Sequence, residues 1–256
     1  MITFKERPFE PNLPVIRRLT DEISRADVSN LILVHGGGSF GHPIAEQHSL
    51  KAGYKHKSQL IGFSRAHQAM NELNTLVVDS LINNDIPAVV VPPSSCIVTE
   101  RGRIQSLETE PLLRMLGAGF TPVLYGDVVL DSKTGFTILS GDQLVASLAI
   151  RLGAERIIFG VDVNGLFTDN PKTHPSAHLL KEISLPEMKN IVNKIGGSTE
   201  TDVTGGMFGK ISEIIKVLEC GIQTLIVNAK KPEIVYRALR GEKVVGTILT
   251  KGEPLG

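Results

Sequence analysis

Short apolar runs and segments of helical period follow one another along almost the whole chain, and this order constrains the fold more than any other feature. Leu13, Ile16, Leu19 and Ile23 recur at helical spacing ahead of the apolar run Leu31 to Val34. A long helix is predicted over 58–84, closed by Asn83-Asn84-Asp85 and followed by a strand from Pro87 to Val91. A further helix, over about 107–116, stops at Gly117-Ala118-Gly119 before the strand Thr121 to Tyr125. Val128 to Leu130 and Phe136 to Leu139, parted by Asp131-Ser132-Lys133-Thr134-Gly135, read as a hairpin. Helices at 142–152, 206–219 and 232–239, with strands at 155–160, 222–227 and 244–249, complete the order. The expected class is α/β: a three-layer αβα sandwich around a mostly parallel sheet with helices on both faces. With no linker, repeat or low-complexity segment, one domain spanning 1–256 with two lobes is expected.

That class narrows where chemistry can sit, because open parallel sheets bind ligands outside the carboxyl ends of their strands. His35-Gly36-Gly37-Gly38-Ser39-Phe40-Gly41-His42 follows directly on Leu31-Ile32-Leu33-Val34. Three consecutive glycines remove every Cβ from the turn, so backbone N–H groups can converge on a charged oxygen. A helix starting near Gly41 would aim its N-terminal dipole at the same place. The pattern suits a phosphate, although many strand ends use glycine for turning alone. His42 adjoins the glycines, where an imidazole can donate to a phosphoryl oxygen, whereas His56, His67, His174 and His178 look like surface residues.

Three further segments fall at strand ends: Ser140-Gly141-Asp142, Asp162-Val163-Asn164-Gly165, and Thr201-Asp202-Val203-Thr204-Gly205-Gly206, which leads into the helix of Lys210. A solvated helix lysine is the ordinary case, but the Thr-Gly-Gly lead-in favours a phosphate contact for Lys210. Asp142 has two readings, a carboxylate that favours the helix dipole and a ligand contact. Spacing alone says nothing for Lys5, which stands in a charged segment.

Composition removes several function classes. Lys plus Arg and Asp plus Glu number 27 each, which leaves no overall field to hold nucleic acid or an anionic membrane. Cys96 and Cys220 lie far apart in apolar surroundings, as reduced structural thiols in a cytoplasmic protein would. The opening Met1 to Pro8 is too charged for a signal peptide, and no apolar run approaches membrane-spanning length. A Walker motif, a His/Cys metal cage and a Gly-x-Ser-x-Gly elbow are all absent from the sequence, so no metal ligands are assigned. Phosphoryl transfer by positioning and charge neutralisation is what remains.

HGGGSFGHP at 35–43, TPVLYGDVVLD at 121–131, SGDQL at 140–144, GVDVNGLFTDNPKTHP at 160–175 and TDVTGGMFGK at 201–210 together resemble the amino acid kinase superfamily and, within it, the isopentenyl phosphate kinases. The resemblance covers nearly the whole chain and implies a phosphotransferase with a phosphate acceptor, using ATP and Mg²⁺, as a cytoplasmic homodimer. It implies that Gly36, Gly41, Gly141 and Asp142 hold the monophosphate and that Gly37 lines the path of the transferred group. His42 and Lys5 would stabilise the transition state. Asp162, Phe167, Gly206 and Lys210 would contact ATP, while Ile138 and the apolar face of the 58–70 helix, including Ile61, would wall a short isoprenoid tail. It further implies an acceptor lobe over about 1–150 and a nucleotide lobe over 151–256. Alternatives are a kinase for another small phosphate or phosphonate, and a non-catalytic binding protein.

The superfamily opens on a strand ending in Lys-x-Gly-Gly-Ser, whereas this sequence opens at Met1-Ile2-Thr3. A short N-terminal extension beyond a misplaced start is therefore expected. Lys194-Ile195-Gly196-Gly197-Ser198 spells the motif elsewhere, where a turn is the default reading.

Overall fold

The computed structural model describes residues 1–169, 171, 173–174, 176–196 and 205–252, and the chain divides into two compact units, Met1–Leu144 and Val145–Gly256. Gly197, Ser198 and the Thr201 to Thr204 lead-in lie outside the described residues, as do Asn170, Lys172 and Pro175. Among the described residues no helix is long and apolar enough to cross a membrane.

The first unit opens with α1 (Leu13–Ala26), where the Asn12 side chain accepts the Val15 N–H and Pro14 sits in the first turn. There follow β1 (Leu33–His35), α2 (Gly38–Gln47), α3 (Gln59–Ile82), β2 (Ala88–Val90), α4 (Pro93–Cys96), β3 (Ile97–Glu100), β4 (Arg103–Leu107), α5 (Glu110–Gly117), β5 (Thr121–Tyr125), β6 (Asp127–Asp131), β7 (Gly135–Leu139) and the start of α6 (Gly141–Leu152). Parallel pairing places β5 between β1 and β2, and every residue of β5 is buried. Burial on both faces suits the continuous apolar run Pro122-Val123-Leu124. The second sheet runs β4-β3-β6-β7 and is mixed. Phe40, Ile44, Leu50, Met70, Leu73, Tyr125 and Phe136 form one apolar core.

In the second unit, β8 (Arg156–Val161), β9 (Leu166–Phe167), β10 (Leu179–Leu180), β11 (Glu182–Ser184), α7 (Leu185–Gly196), α8 (Gly205–Glu219), β12 (Gln223–Asn228), α9 (Ile234–Leu239) and β13 (Gly246–Thr250) follow. The main sheet is ordered β11-β13-β12-β8. It is parallel at both ends but antiparallel between β12 and β13, so the mostly parallel expectation holds here in part. Ile157, Phe159, Met188, Ile214, Leu218, Ile226 and Leu249 fill its core.

The α/β class follows from the apolar periodicity, and the departures from expectation are short elements. The β3–β4 hairpin, β9, β10 and β11 contain two to five residues each, too few for a periodic signal. α7 is different: Leu185, Met188, Ile191 and Val192 share one face at helical spacing, a signal present in the sequence and passed over.

Candidate active site

The glycine turn is tighter than expected, because α2 begins at Gly38 and not near Gly41, with Gly37 as its N-cap. Gly38 has φ +48°, and a Cβ there would stand 2.2 Å from Thr3 Oγ1, so both backbone and space demand glycine. At Gly37 and Gly41 a Cβ would meet Met70 Sδ at 2.9 and 3.1 Å, which lets α2 lie close on α3. Gly36 faces open space. His42, four residues along the helix from Gly38, is exposed, while the buried Ser39 hydroxyl has no partner among the described residues.

The expected second glycine motif arrives beside the first. Ser140 caps α6 by accepting the Gln143 N–H on Oγ, which leaves Gly141 and Asp142 in the first turn. A Cβ on Gly141 would stand 3.4 Å from His35 O, and one on Gly126 3.2 Å from Gly141 N. The starts of α2 and α6 thus flank the open Gly36, two positive helix ends beside one space.

Lys5 reaches this region through the backbone of Ser39. Pro43 lies inside α2 and has no N–H to offer the Ser39 carbonyl four residues earlier. That carbonyl instead accepts the Phe9 N–H at 3.2 Å, while the Ser39 N–H donates to Thr3 Oγ1, also at 3.2 Å. Phe9 packs edge-on against Phe40 with ring centroids 6.0 Å apart. Residues 3 to 9 are therefore pinned to the first turns of α2, with exposed Lys5 between the two pins. Of the expected tail-wall residues, Ile138 packs on the apolar core together with Phe63, but Ile61 is 57% exposed and does not join it. Residue 61 falls on the solvent side of α3; Gly62, one residue on, is the position packed against His48.

In the second unit, Asp162 follows β8 and pairs with Lys230 at 3.9 Å, while Asn228 at the end of β12 donates to Asn164 Oδ1 at 3.1 Å. Gly165, at φ +138°, packs against Thr247, whose hydroxyl accepts the Leu166 N–H and donates to Leu180 O. This fixes the turn between Asp162 and half-buried Phe167. Lys210 holds its ammonium 4.2 Å from the centroid of the Phe159 ring, and Gly206 is the second residue of α8. Among the described residues no cluster of three His, Cys, Asp or Glu suits a metal.

The model of the Amino acid kinase family matches residues 2–228. The chain belongs to this family. Isopentenyl phosphate kinase of Methanothermobacter thermautotrophicus is 41% identical over 242 residues, covering 92% of this chain and 90% of that protein. The Arabidopsis thaliana protein of the same name is 34% identical, over 85% of this chain and 69% of its own. Among solved structures, one described as X-ray structures of isopentenyl phosphate kinase superposes with a TM-score of 0.82 at 38% identity, covering 94% and 92% of the two chains. The fold is thus the amino acid kinase fold.

Sequence reasoning missed a polar chain under the glycine turn of this family member. His35 stacks on Tyr125 at 5.5 Å, and its two ring nitrogens face Gly36 O at 3.1 Å and Asn74 Oδ1 at 3.0 Å. A neutral imidazole can donate to one only. Burial lowers the His35 pKa against the opposing pull of Gly36 and Asn74, so the ring is neutral near pH 7. Asn74 Nδ2 has no other partner among the described residues, so reversal of the amide would let it donate to Nε2 and leave the ring N–H for Gly36 O. His67 is half-buried, not a bland surface residue: Nδ1 lies 2.8 Å from Asp127 Oδ2 and Nε2 3.0 Å from Asn71 Nδ2. Tyr125 donates its hydroxyl proton to Asn71 Oδ1. The signal lay in the spacing of 67, 71 and 74, which puts all three on one face of α3.

Proposed function

We propose that this protein transfers the γ-phosphoryl group of ATP to the phosphate of isopentenyl phosphate. An acceptor phosphate oxygen forms the new bond to Pγ as the bond from Pγ to the β,γ-bridging oxygen breaks, leaving ADP and isopentenyl diphosphate; no proton need move. Two helix N-termini flanking an open glycine, with an exposed imidazole one turn along α2, carry the reading. Such a site needs donors for spreading negative charge and no strong base. The relatives named isopentenyl phosphate kinase support the choice of acceptor.

Within this reading the first unit binds the acceptor through Gly36, Gly41, Gly141 and Asp142, with Gly37 along the path of transfer. His42 and Lys5 stabilise the developing charge, and Ile138 with Phe63 walls the tail. The second unit binds the nucleotide through Asp162, Phe167, Gly206 and Lys210. Magnesium held mainly by phosphate oxygens needs one or two carboxylates at most, which suits a chain with no dedicated cage among its described residues. When bound it would neutralise phosphate charge. A cytoplasmic homodimer completes the proposal, and light scattering that gives the mass of one chain would remove the dimer.

ADP release coupled to a reporter, with isopentenyl phosphate and Mg-ATP, tests the activity. Turnover is expected, and silence from folded protein overturns it. His42→Ala is expected to lower kcat by about 10²-fold, the loss typical of one charge-stabilising donor. Near-normal turnover would take His42 out of the mechanism.

A further inference from the structure

Two side chains on α3, His67 and Asn71, join a buried carboxylate to the aromatic ring stacked on His35. The hydrogen bonds run in one direction. Tyr125 O–H donates to Asn71 Oδ1, Asn71 N–H to His67 Nε2, and His67 Nδ1–H to Asp127 Oδ2. Each step fixes the next, because Asn71 presents its oxygen to Tyr125 only while its nitrogen faces His67. At the far end, Tyr125 stacks on His35, whose Nδ1 lies 3.1 Å from Gly36 O. A planar trans peptide carries its N–H opposite its C=O, so holding the Gly36 carbonyl toward His35 turns the Gly37 N–H away from that ring.

We propose that His67 and Asp127 are positioning residues for phosphoryl transfer, setting the Gly36–Gly37 peptide through Asn71, Tyr125 and His35. The proposal rests on the function argued above, in which Gly37 lines the path of the transferred group. Its consequence is a pH response. A proton on His67 Nε2 would face the Asn71 N–H, and the conflict is relieved when the amide reverses. Tyr125 then loses its acceptor and must itself accept, so the hydroxyl of the residue stacked on His35 reorients.

The groups facing His67 are Asp127 from β6, Ser94 from α4, whose Oγ is 3.5 Å from Nδ1, and Asn71 on its own helix. Asp127 is pushed up by burial and held back by His67, the Val128 N–H and Ser94. Deeper in, burial pushes Tyr125 and Cys96 upward, with Asp127 and Glu108 respectively adding to it. Neither ionises near neutrality.

Imidazole resonances of the histidine-labelled protein, followed through pH, decide the physical part without any variant. The His35 signal is expected to move with the midpoint read from His67, separately from its own lower transition, and to lose that step in Tyr125→Phe, which keeps the stacked ring. A His35 signal that stays flat through the His67 transition overturns the proposal. In the kinetic arm, His67→Gln and Tyr125→Phe should lower kcat by between about 3- and 30-fold, the range of coupling through packed networks, with KM for both substrates little changed. A lower melting temperature with kcat intact would make the chain merely structural and overturn the proposal. Wild-type protein without isopentenyl phosphate kinase activity would instead defeat the functional reading, while the resonances still judge the linkage.

Discussion

Pro43 carries a consequence that reaches beyond its own turn. A proline inside a helix costs about 3 kcal/mol against alanine, largely through the lost i to i−4 bond. In α2 the carbonyl it releases accepts the Phe9 N–H, and the same residue, Ser39, gives its N–H to Thr3. The helix is weakened where the Lys5 segment must dock. Pro43→Ala is expected to restore the helical bond and displace Phe9, raising thermal stability while lowering kcat by about 10-fold, as misplacement of a charge-stabilising group does. Unchanged kcat in a stabilised variant would separate Lys5 from the reaction. The glycine–histidine run was legible as a tight strand-to-helix turn because it stands in eight consecutive residues. Thr3, Phe9 and Pro43 were not, since their link passes through the backbone N–H and carbonyl of one residue, Ser39, that no sequence pattern marks.

At the scale of elements, what was legible depended on length. α3, with 24 residues and a buried stripe through Ala66, Met70, Leu73 and Val77, could be placed from periodicity. The β3–β4 hairpin could not, because its strands are short and polar side chains supply much of what holds it. Gln143 accepts the Ile104 N–H and donates to Gly102 O, while Asp131 gathers the N–H groups of Gly102, Lys133 and Thr134 and the Thr99 hydroxyl. Burial pushes the Asp131 carboxyl up, but the bonds from Gly102, Thr134, Lys133 and Thr99 prevail and hold it well below the usual carboxylate range. A depressed folded-state pKa stabilises above the unfolded value, about 3.9, and the gain is lost as pH falls through the folded value. Asp131→Ala should therefore cost on the order of 3 kcal/mol at neutral pH. In urea unfolding, the gap between wild type and variant should narrow below about pH 4. A gap that stays constant down to acid unfolding would show that the charge is not what Asp131 contributes.

At the scale of the whole molecule, the order of helices and strands disclosed the α/β class, and only the family resemblance set a lobe boundary, near 150; the division at Leu144 and Val145 falls inside α6 and has no mark in composition. What the two units do separately is nonetheless testable. The first carries the open glycine and the two helix starts. The second pairs Asp162 with Lys230, just past the ends of β8 and β12, and lays Lys210 over Phe159 of β8. Lys230 was passed over in the sequence because it stands in a charged loop beside Lys231, where a solvated lysine is the ordinary case. Lys210 tests the division better, since its stem and ammonium can be separated. Lys210→Met keeps an aliphatic chain against Phe159 and removes only the charge, so packing of the second core should survive. If that charge meets ATP phosphates, KM for ATP rises by about 10-fold, the lower end of what a charged hydrogen bond contributes, while KM for isopentenyl phosphate stays within about twofold. The opposite pattern, with the acceptor weakened and ATP spared, would transfer Lys210 to the acceptor and overturn the assignment of the nucleotide to the second unit.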